Sequence, residues 1–143
     1  MTGLPTAPAD LLADGWEPLR PGAFITMAGP FFMRTVDGHR QFCFRVEPKH
    51  DNTQGRPHGG VIMTFLDEAM GLTTQLSRPQ EDFFTIGFDC QFMDGSVVGD
   101  LIVARTEVVR ATRSLMFMRG ECHVGGRIIA AASGIWKAHK PRA

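Results

Sequence analysis

The chain has 143 residues, 43% of them hydrophobic, which is enough for one compact domain with a core. Fifteen basic and fifteen acidic side chains cancel, so no overall field attracts nucleic acid or an anionic membrane. No apolar run reaches the ~20 residues that span a bilayer, and the first residues lack the basic and apolar stretches of a signal peptide. We therefore predict a single soluble, cytoplasmic domain over residues 1–143, without nucleic-acid or membrane partners.

The N-terminal part is rich in proline and turn-forming residues. We predict a loosely ordered arm over residues 1–14, in which residues 9–13 make one helical turn that ends at Asp14-Gly15. Asp37-Gly38-His39 then separates residues 31–36 from the alternating residues 40–46, a pattern typical of a β-hairpin. Polar and turn-forming residues 48–57 predict a loop.

A long helix is predicted from Gly59 to about Leu76, because apolar residues recur there at three- and four-residue steps. Only a narrow face is polar; it carries Thr64, Asp67, Glu68, Gly71, Thr74 and Gln75. A helix this apolar must be largely enclosed by other elements.

Four further strands are predicted at residues 84–93, 100–109, 114–124 and 127–136. In the first of them the apolar residues alternate strictly, which predicts one shared face for Phe84, Ile86, Phe88, Cys90 and Phe92. The turns between these strands predict an antiparallel meander. Together with the hairpin, they indicate an α+β fold in which a curved antiparallel sheet wraps around the central helix.

The three cysteines are Cys43, Cys90 and Cys122, an odd number spread over separate predicted strands. We expect reduced, buried thiols and no disulfide framework. The five histidines have no paired spacing, so we predict no metal site, and no cofactor is expected.

The start of the predicted helix carries the residues with the clearest chemistry. Gly59 and Gly60 lack a Cβ, so a ligand can approach the backbone closely, and N–H groups in a first helical turn lack helical partners. Such groups stabilise an oxygen that carries negative charge. Asp67, a carboxylate inside the apolar helix, could supply a base, so the pair suits attack on a carbonyl.

The run Asn52-x2-Gly55-x2-His58-Gly59-Gly60, with an acid nine residues after the histidine, resembles the hotdog-fold acyl-CoA thioesterases. The resemblance covers roughly residues 15–138 and is strongest to the phenylacetate-pathway type within the 4-hydroxybenzoyl-CoA thioesterase superfamily. It implies a hotdog fold and hydrolysis of an acyl- or aryl-acyl-CoA thioester to free acid and CoA.

Carried over by position, the resemblance implies that Asp67 acts as general base or nucleophile and that the Gly59 amide polarises the thioester carbonyl. It implies that Asn52 orients the carbonyl or water, that His58 holds the loop, and that Thr85 positions the attacking water. Glu68, one residue further along the helix, is expected to point about 100° away, toward another surface.

The resemblance also assigns the substrate contacts and the assembly. Gly60 permits the close approach of substrate, and Arg56, Arg113 and Ser114 are expected to meet the CoA nucleotide. The relatives place the acid and the glycine in different subunits, which implies a homodimer or homotetramer with its active site at the subunit interface.

Two alternatives stay open at this point. The same fold hosts proteins that bind acyl-CoA without cleaving it, and it hosts enoyl-CoA hydratases. Asp67 could instead pair with an arginine or face solvent, Asn52 and Gly55 could simply shape a turn, and Thr85 could be an ordinary strand residue.

Overall fold

A computed structural model describes residues 8–19 and 22–139 of the chain. The elements, in order, are helix α1 (Ala9–Ala13), strand β1 (Glu17–Pro18), helix α2 (Ala23–Ala28), strands β2 (Phe32–Val36) and β3 (His39–Arg45), a 3-10 turn (Pro48–His50), helix α3 (Gly59–Ser77), and strands β4 (Asp82–Phe92), β5 (Leu101–Ala111), β6 (Leu115–Val124) and β7 (Arg127–His139). The fold is the predicted α+β hotdog arrangement, with one long helix packed on a seven-stranded antiparallel sheet. No helix in the described ranges is long and apolar enough to cross a bilayer.

The strands lie in the order β1-β2-β3-β5-β6-β7-β4. The predicted meander is confirmed for β5, β6 and β7 but is wrong for β4, which pairs with β7 and forms the edge of the sheet. The connection over residues 93–100 is too long for a tight hairpin. It begins with the Met93 N–H donating to the Ile129 carbonyl at 2.8 Å, so the end of β4 is tied to the start of β7.

The hairpin of β2 and β3 forms where it was predicted, with Val36 paired to His39. Asp37 and Gly38 both have positive φ, 50° and 78°, as a two-residue type I′ turn requires. Glycine takes this conformation without steric cost, and aspartate is among the residues that tolerate it best.

Helix α3 supplies one side of the main hydrophobic core. Its fully buried face, which includes Phe65, Leu66 and Met70, packs against β3, β5, β6 and β7. Small residues let helix and sheet approach closely: a Cβ at Gly120 would lie 2.7 Å from Met70 Sδ, and one at Gly71 would lie 3.1 Å from Trp136 Nε1. Each large buried side chain contributes roughly 1.5–3 kcal/mol, so this packing fixes the position of the whole helix.

Strand β4 departs from its predicted alternation. A register shift between Thr85 and Gly87 inserts a β-bulge, since Thr85 pairs with Trp136 while Gly87 pairs with Ile135. Phe83 therefore packs on the core together with Phe88. The prediction of one shared face is wrong for Phe84 and Ile86, which are 45% and 50% exposed. The bulge is also what lets Thr85 meet α3.

The N-terminal segment covers the face of the sheet away from α3. Leu11 of α1 and Trp16 pack on Phe32 and Cys43. The Asp10 carboxylate pairs with Arg45 at 2.8 Å, which holds α1 in place. Within the predicted N-terminal arm, residues 1–7 lie outside the described residues.

All three cysteines are free thiols. Cys43 and Cys122 are buried, and Cys90 is half-buried. Burial raises the pKa of Cys43 to about 12 and raises the pKa of Cys122 further above its usual value, so both remain protonated and unreactive.

Candidate active site

The loop before α3 is held by its own polar groups. Asp51 Oδ1 accepts a hydrogen bond from the Gly55 N–H at 2.6 Å, and Gly55 has a φ of 76°. Asn52 Oδ1 accepts from the Gln54 N–H at 3.0 Å, and the Asn52 N–H donates to the Arg56 carbonyl at 2.8 Å. Because the Asn52 side-chain oxygen is committed to the turn, any contact of this residue with a substrate carbonyl would come from Nδ2.

His58 caps the N-terminus of α3. Its backbone is extended, with φ −60° and ψ 138°, and its Nδ1 accepts a hydrogen bond from the Gly60 N–H at 2.9 Å. Its carbonyl accepts from the Val61 N–H at 3.0 Å. Two of the orphan amides of the first turn are therefore satisfied by His58, which here orients the helix start.

A second histidine, His50, supports this loop. His50 is 5% exposed; its Nδ1 accepts from the Glu47 N–H at 2.9 Å, and its Nε2 donates to the Ala28 carbonyl at 2.6 Å. Its own carbonyl accepts from the His58 N–H at 2.7 Å. His50 thus joins α2, the 3-10 turn and the cap of α3. The sequence gives only a weak indication of this role, which is the position of His50 two residues after Pro48.

The Gly59 amide differs from its neighbours. It is the first residue of α3, so no helical carbonyl precedes it, and the described residues provide no acceptor for its N–H. The ring of Phe92, at the end of β4, lies beside Gly59: a Cβ at Gly59 would lie 3.2 Å from Phe92 Cζ. Of the two glycines, therefore, Gly59 keeps a donor for a ligand, and Gly60 does not.

Asp67 lies in the middle of α3, half-buried, and faces β4. Thr85 Oγ1 donates a hydrogen bond to Asp67 Oδ1 at 2.7 Å. Both residues line an open cavity of about 270 Å³, together with Glu68, Gly71, Leu72, Gln75, Phe83 and Trp136. The hydroxyl of Thr85 thus holds Oδ1 of the carboxylate, and Oδ2 remains available to act as a base or a nucleophile.

Glu68 does not point to a separate surface, contrary to the sequence-based expectation, since it lines the same cavity as Asp67. Burial, and then the negative charge of Asp67, raise the pKa of Glu68 above its ordinary value. Two carboxyl groups therefore share one cavity, and partial burial beside a like charge disfavours the charged form of Glu68.

Within one chain, Asp67 and Gly59 are not brought together. They are eight residues apart on one helix, which at 1.5 Å per residue is about 12 Å along the axis. A reacting carbonyl has to lie about 3 Å from both an oxyanion donor and its attacking group. Within one chain, Asp67 and the Gly59 amide are therefore too far apart to act on the same carbonyl.

The predicted nucleotide contacts lie at opposite ends of α3. The Arg56 guanidinium packs on Gly95, where a Cβ would lie 3.3 Å from Nη1, beside an ion pair of Arg127 with Asp94 at 3.0 Å. Arg113 is exposed in the turn between β5 and β6, near the C-terminal end of α3, and its carbonyl accepts from Arg78 Nη2 at 2.8 Å. The carbonyl of the next residue, Ser114, accepts from the Ala138 N–H at 2.8 Å. In the described part of the chain, no cluster of three His, Cys, Asp or Glu side chains could hold a metal ion.

Comparison with known proteins places the chain in a family. Residues 54–131, which include the helix and the glycine pair, match the model of the thioesterase superfamily. PA0474, a Pseudomonas aeruginosa protein whose name proposes an esterase, is 33% identical over 127 residues, 86% of this chain and 94% of that protein.

Solved structures show the same fold. The Bacillus halodurans BH2602 protein, crystallised with CoA, superposes with a TM-score of 0.79 at 18% identity, covering 92% of this chain and 87% of that one. A Ralstonia eutropha protein described as related to phenylacetic acid degradation gives a TM-score of 0.73 at 19% identity, covering 82% of this chain and 91% of that one. With a family model that matches more than half of its length and a relative at 33% identity, the chain belongs to the thioesterase superfamily.

Proposed function

We propose that this protein hydrolyses an acyl- or aryl-acyl-CoA thioester to a free acid and CoA, without a cofactor. The observation that carries the proposal is the Asp67 carboxylate, held at 2.7 Å by Thr85 in the central helix of a thioesterase-superfamily fold whose Gly59 amide lacks an acceptor among the described residues. The BH2602 relative contains CoA, which supports this substrate class.

The reaction needs three elementary events. The Gly59 N–H donates to the carbonyl oxygen of the thioester and stabilises its developing charge. Asp67 either takes a proton from the attacking water as general base or attacks the carbonyl carbon itself. As the new C–O bond forms, the C–S bond breaks, and CoA leaves as a thiolate that then takes up a proton. If Asp67 is the nucleophile, the new bond is part of a mixed anhydride with the enzyme, and water then hydrolyses this anhydride to the free acid and regenerates the carboxylate.

Thr85 has a specific place in this scheme. The hydroxyl of Thr85 donates its proton to Asp67 Oδ1, so the lone pairs of Thr85 Oγ1 remain able to accept hydrogen bonds. A water that donates one proton toward Asp67 and the other to Thr85 Oγ1 would have its lone pair aimed away from the helix. Thr85 would thereby orient the nucleophile, as the family resemblance implies.

A second copy of the chain would complete the site. Gly59 lies beside Phe92 and Asp67 beside Thr85, so α3 and β4 run antiparallel. A two-fold axis that passes near Met63, halfway between Gly59 and Asp67, would bring the Asp67 of one subunit to the Gly59 of the other. The same axis would pass between residues 88 and 89, halfway between Thr85 and Phe92, and would pair the two β4 strands.

The surface at that place is suited to pairing. Strand β4 is an eleven-residue edge strand on which Phe84, Ile86 and Phe92 are 45%, 50% and 51% exposed. Long apolar edges left open promote association, so we propose a homodimer as the minimal active unit, with a homotetramer as its further assembly. Arg56, Arg113 and Ser114 would lie at the rim and meet the CoA phosphates.

The proposal is tested by thiol release from a panel of CoA thioesters that differ in chain length and ring content. Asp67→Asn keeps the size of the side chain but removes the base, so activity should fall by ~10²–10⁴-fold. Glu107→Gln is the matched control, because Glu107 is an exposed carboxylate paired with Arg119 outside the cavity. Binding of CoA esters without thiol release, or hydration of crotonyl-CoA instead of hydrolysis, would reject the assignment.

A further inference from the structure

We propose that Phe92 is a positioning residue that shields the Gly59 amide from bulk water, an inference that rests on the proposed hydrolysis at this site. The tip of the ring points at Gly59: Cζ, Cε1 and Cε2 lie 3.2, 3.4 and 3.7 Å from the place a Cβ would occupy. A Cβ at this position would therefore press on the tip of the ring, which would have to move by a few tenths of an ångström.

The placement of Phe92 is fixed by the sheet. It is the last residue of β4 and pairs with Ala130 of β7, which is fully buried. The bulge between Thr85 and Gly87 changes which alternate residues of β4 face α3. After the bulge, Phe88, Cys90 and Phe92 share the side that faces α3. The ring is nevertheless 51% exposed, because β4 lies at the edge and leaves the far side of the ring open.

An apolar ring beside the glycine that carries an unpaired amide has a chemical consequence. Water that competes for the N–H weakens its hydrogen bond to a developing oxyanion, and excluding that water strengthens it. The ring offers no acceptor that could take the N–H in place of the substrate. Phe92 thereby excludes water from one side of the Gly59 N–H and leaves the other side open to the substrate.

The proposed two-fold arrangement completes this shield. An axis between residues 88 and 89 places Phe92 of one subunit opposite the partner subunit's Thr85, next to the partner's Asp67. The ring would then stand between the oxyanion donor of its own chain and the solvent at the edge of the interface, where its exposed side is covered.

The test compares Phe92→Ala, Phe92→Leu and the control Leu12→Ala. Leu12 is a similarly exposed apolar residue, 50% exposed, but it lies on α1, on the face of the sheet away from α3 and away from the edge strand β4. We expect Phe92→Ala to lower kcat about tenfold for every acyl-CoA tested and to change KM by no more than about twofold. This loss is smaller than the ~10²–10³-fold loss typical of removing an oxyanion donor, because the Gly59 N–H is still present. Phe92→Leu, which keeps most of the apolar volume, should restore most of kcat, and Leu12→Ala should leave kcat unchanged.

A second measurement does not depend on substrate. Hydrogen exchange of the Gly59 amide, followed by NMR on glycine-labelled protein, should be faster in Phe92→Ala than in the wild type and unchanged in Leu12→Ala. Unchanged Gly59 exchange, or a raised KM with an unaltered kcat, would overturn the shielding role. If the wild type cleaves no CoA thioester, the proposed function fails, and the exchange measurement still decides whether the ring protects the amide.

Discussion

The hydroxyl of Thr85 on strand β4 donates to the carboxylate of Asp67 on helix α3 across 2.7 Å, which ties the edge of the sheet to the proposed base. Thr85→Val keeps the shape of the side chain but removes this bond. Since a hydrogen bond to a charged group is worth about 1.5–3 kcal/mol, we expect kcat to fall about 10- to 100-fold. Thr85→Ser keeps the hydroxyl and should stay near wild type. Equal activities for the valine and serine variants would show that the bond is not used in catalysis.

Met63 lies where the proposed two-fold axis crosses α3 and is 39% exposed. A glutamate at this position would place two like charges against each other at the centre of the dimer, which costs free energy when they are desolvated. Met63→Glu should therefore sediment as a monomer in analytical ultracentrifugation and lose thioesterase activity. Leu76→Glu is the matched control, because Leu76 lies near the far end of the same helix and is 37% exposed. A fully active dimer of Met63→Glu would place the interface elsewhere.

Arg113 is proposed to contact the CoA nucleotide from the turn between β5 and β6. Arg113→Ala should raise KM for a CoA thioester about two- to fivefold, as expected for one exposed charge contact, and leave KM for the corresponding pantetheine thioester unchanged. Arg105→Ala serves as the control, because Arg105 is an exposed arginine of β5 that lies outside the Asp67 cavity. An equal change with both substrates would remove Arg113 from the binding site.

Glu68 gives the protein a predictable dependence of stability on pH. The pKa of Glu68 is raised in the folded state by burial and by the charge of Asp67. The folded protein therefore holds the Glu68 proton more tightly than the unfolded chain does. The stabilisation of the folded state by protonated Glu68 is fully present below the unfolded pKa, near 4.5, and is lost as pH rises through the folded pKa. Glu68→Gln should therefore unfold at a higher temperature than the wild type at pH 7, and the difference should shrink toward pH 4. A variant less stable than the wild type at pH 7 would contradict this account.

Local sequence determined much of the fold. Asp37-Gly38 takes two positive φ angles that few other residue pairs tolerate, so the hairpin was predictable. Helix α3 follows from its apolar periodicity and from His58 as its cap, and it begins at Gly59 as predicted. These features depend on residues that are close together along the chain.

Features that depend on distant pairing were not predictable. The place of β4 beside β7 and its bulge at Thr85 are set by how the sheet closes around Trp136 and the helix, and alternation alone gives no sign of either. For the same reason, the sequence did not indicate the contact of Phe92 with Gly59 or the shared cavity of Asp67 and Glu68. The spacing from His58 to Asp67 singled out this carboxylate as a candidate base, which stays a prediction, and gave no sign of Glu68 in the same cavity.

The central claim is that each active site takes Asp67 from one subunit and the Gly59 amide from the other. Gly59→Pro removes this N–H; proline suits the first position of a helix, and the preceding His58 already has a compatible ψ of 138°. Gly59→Ala, which adds a Cβ but keeps the N–H, controls for contact with Phe92.

The most direct measurement is the thioesterase activity of a 1:1 mixture of Asp67→Asn and Gly59→Pro subunits, refolded together. Half of the dimers formed are mixed, and each has one of its two sites intact if the site is shared, so activity should recover to about one quarter of the wild type from two inactive parents. A site built within one chain predicts that every mixed dimer stays inactive. A mixture no more active than its parents, with mixed dimers confirmed by mass spectrometry, would contradict the shared site.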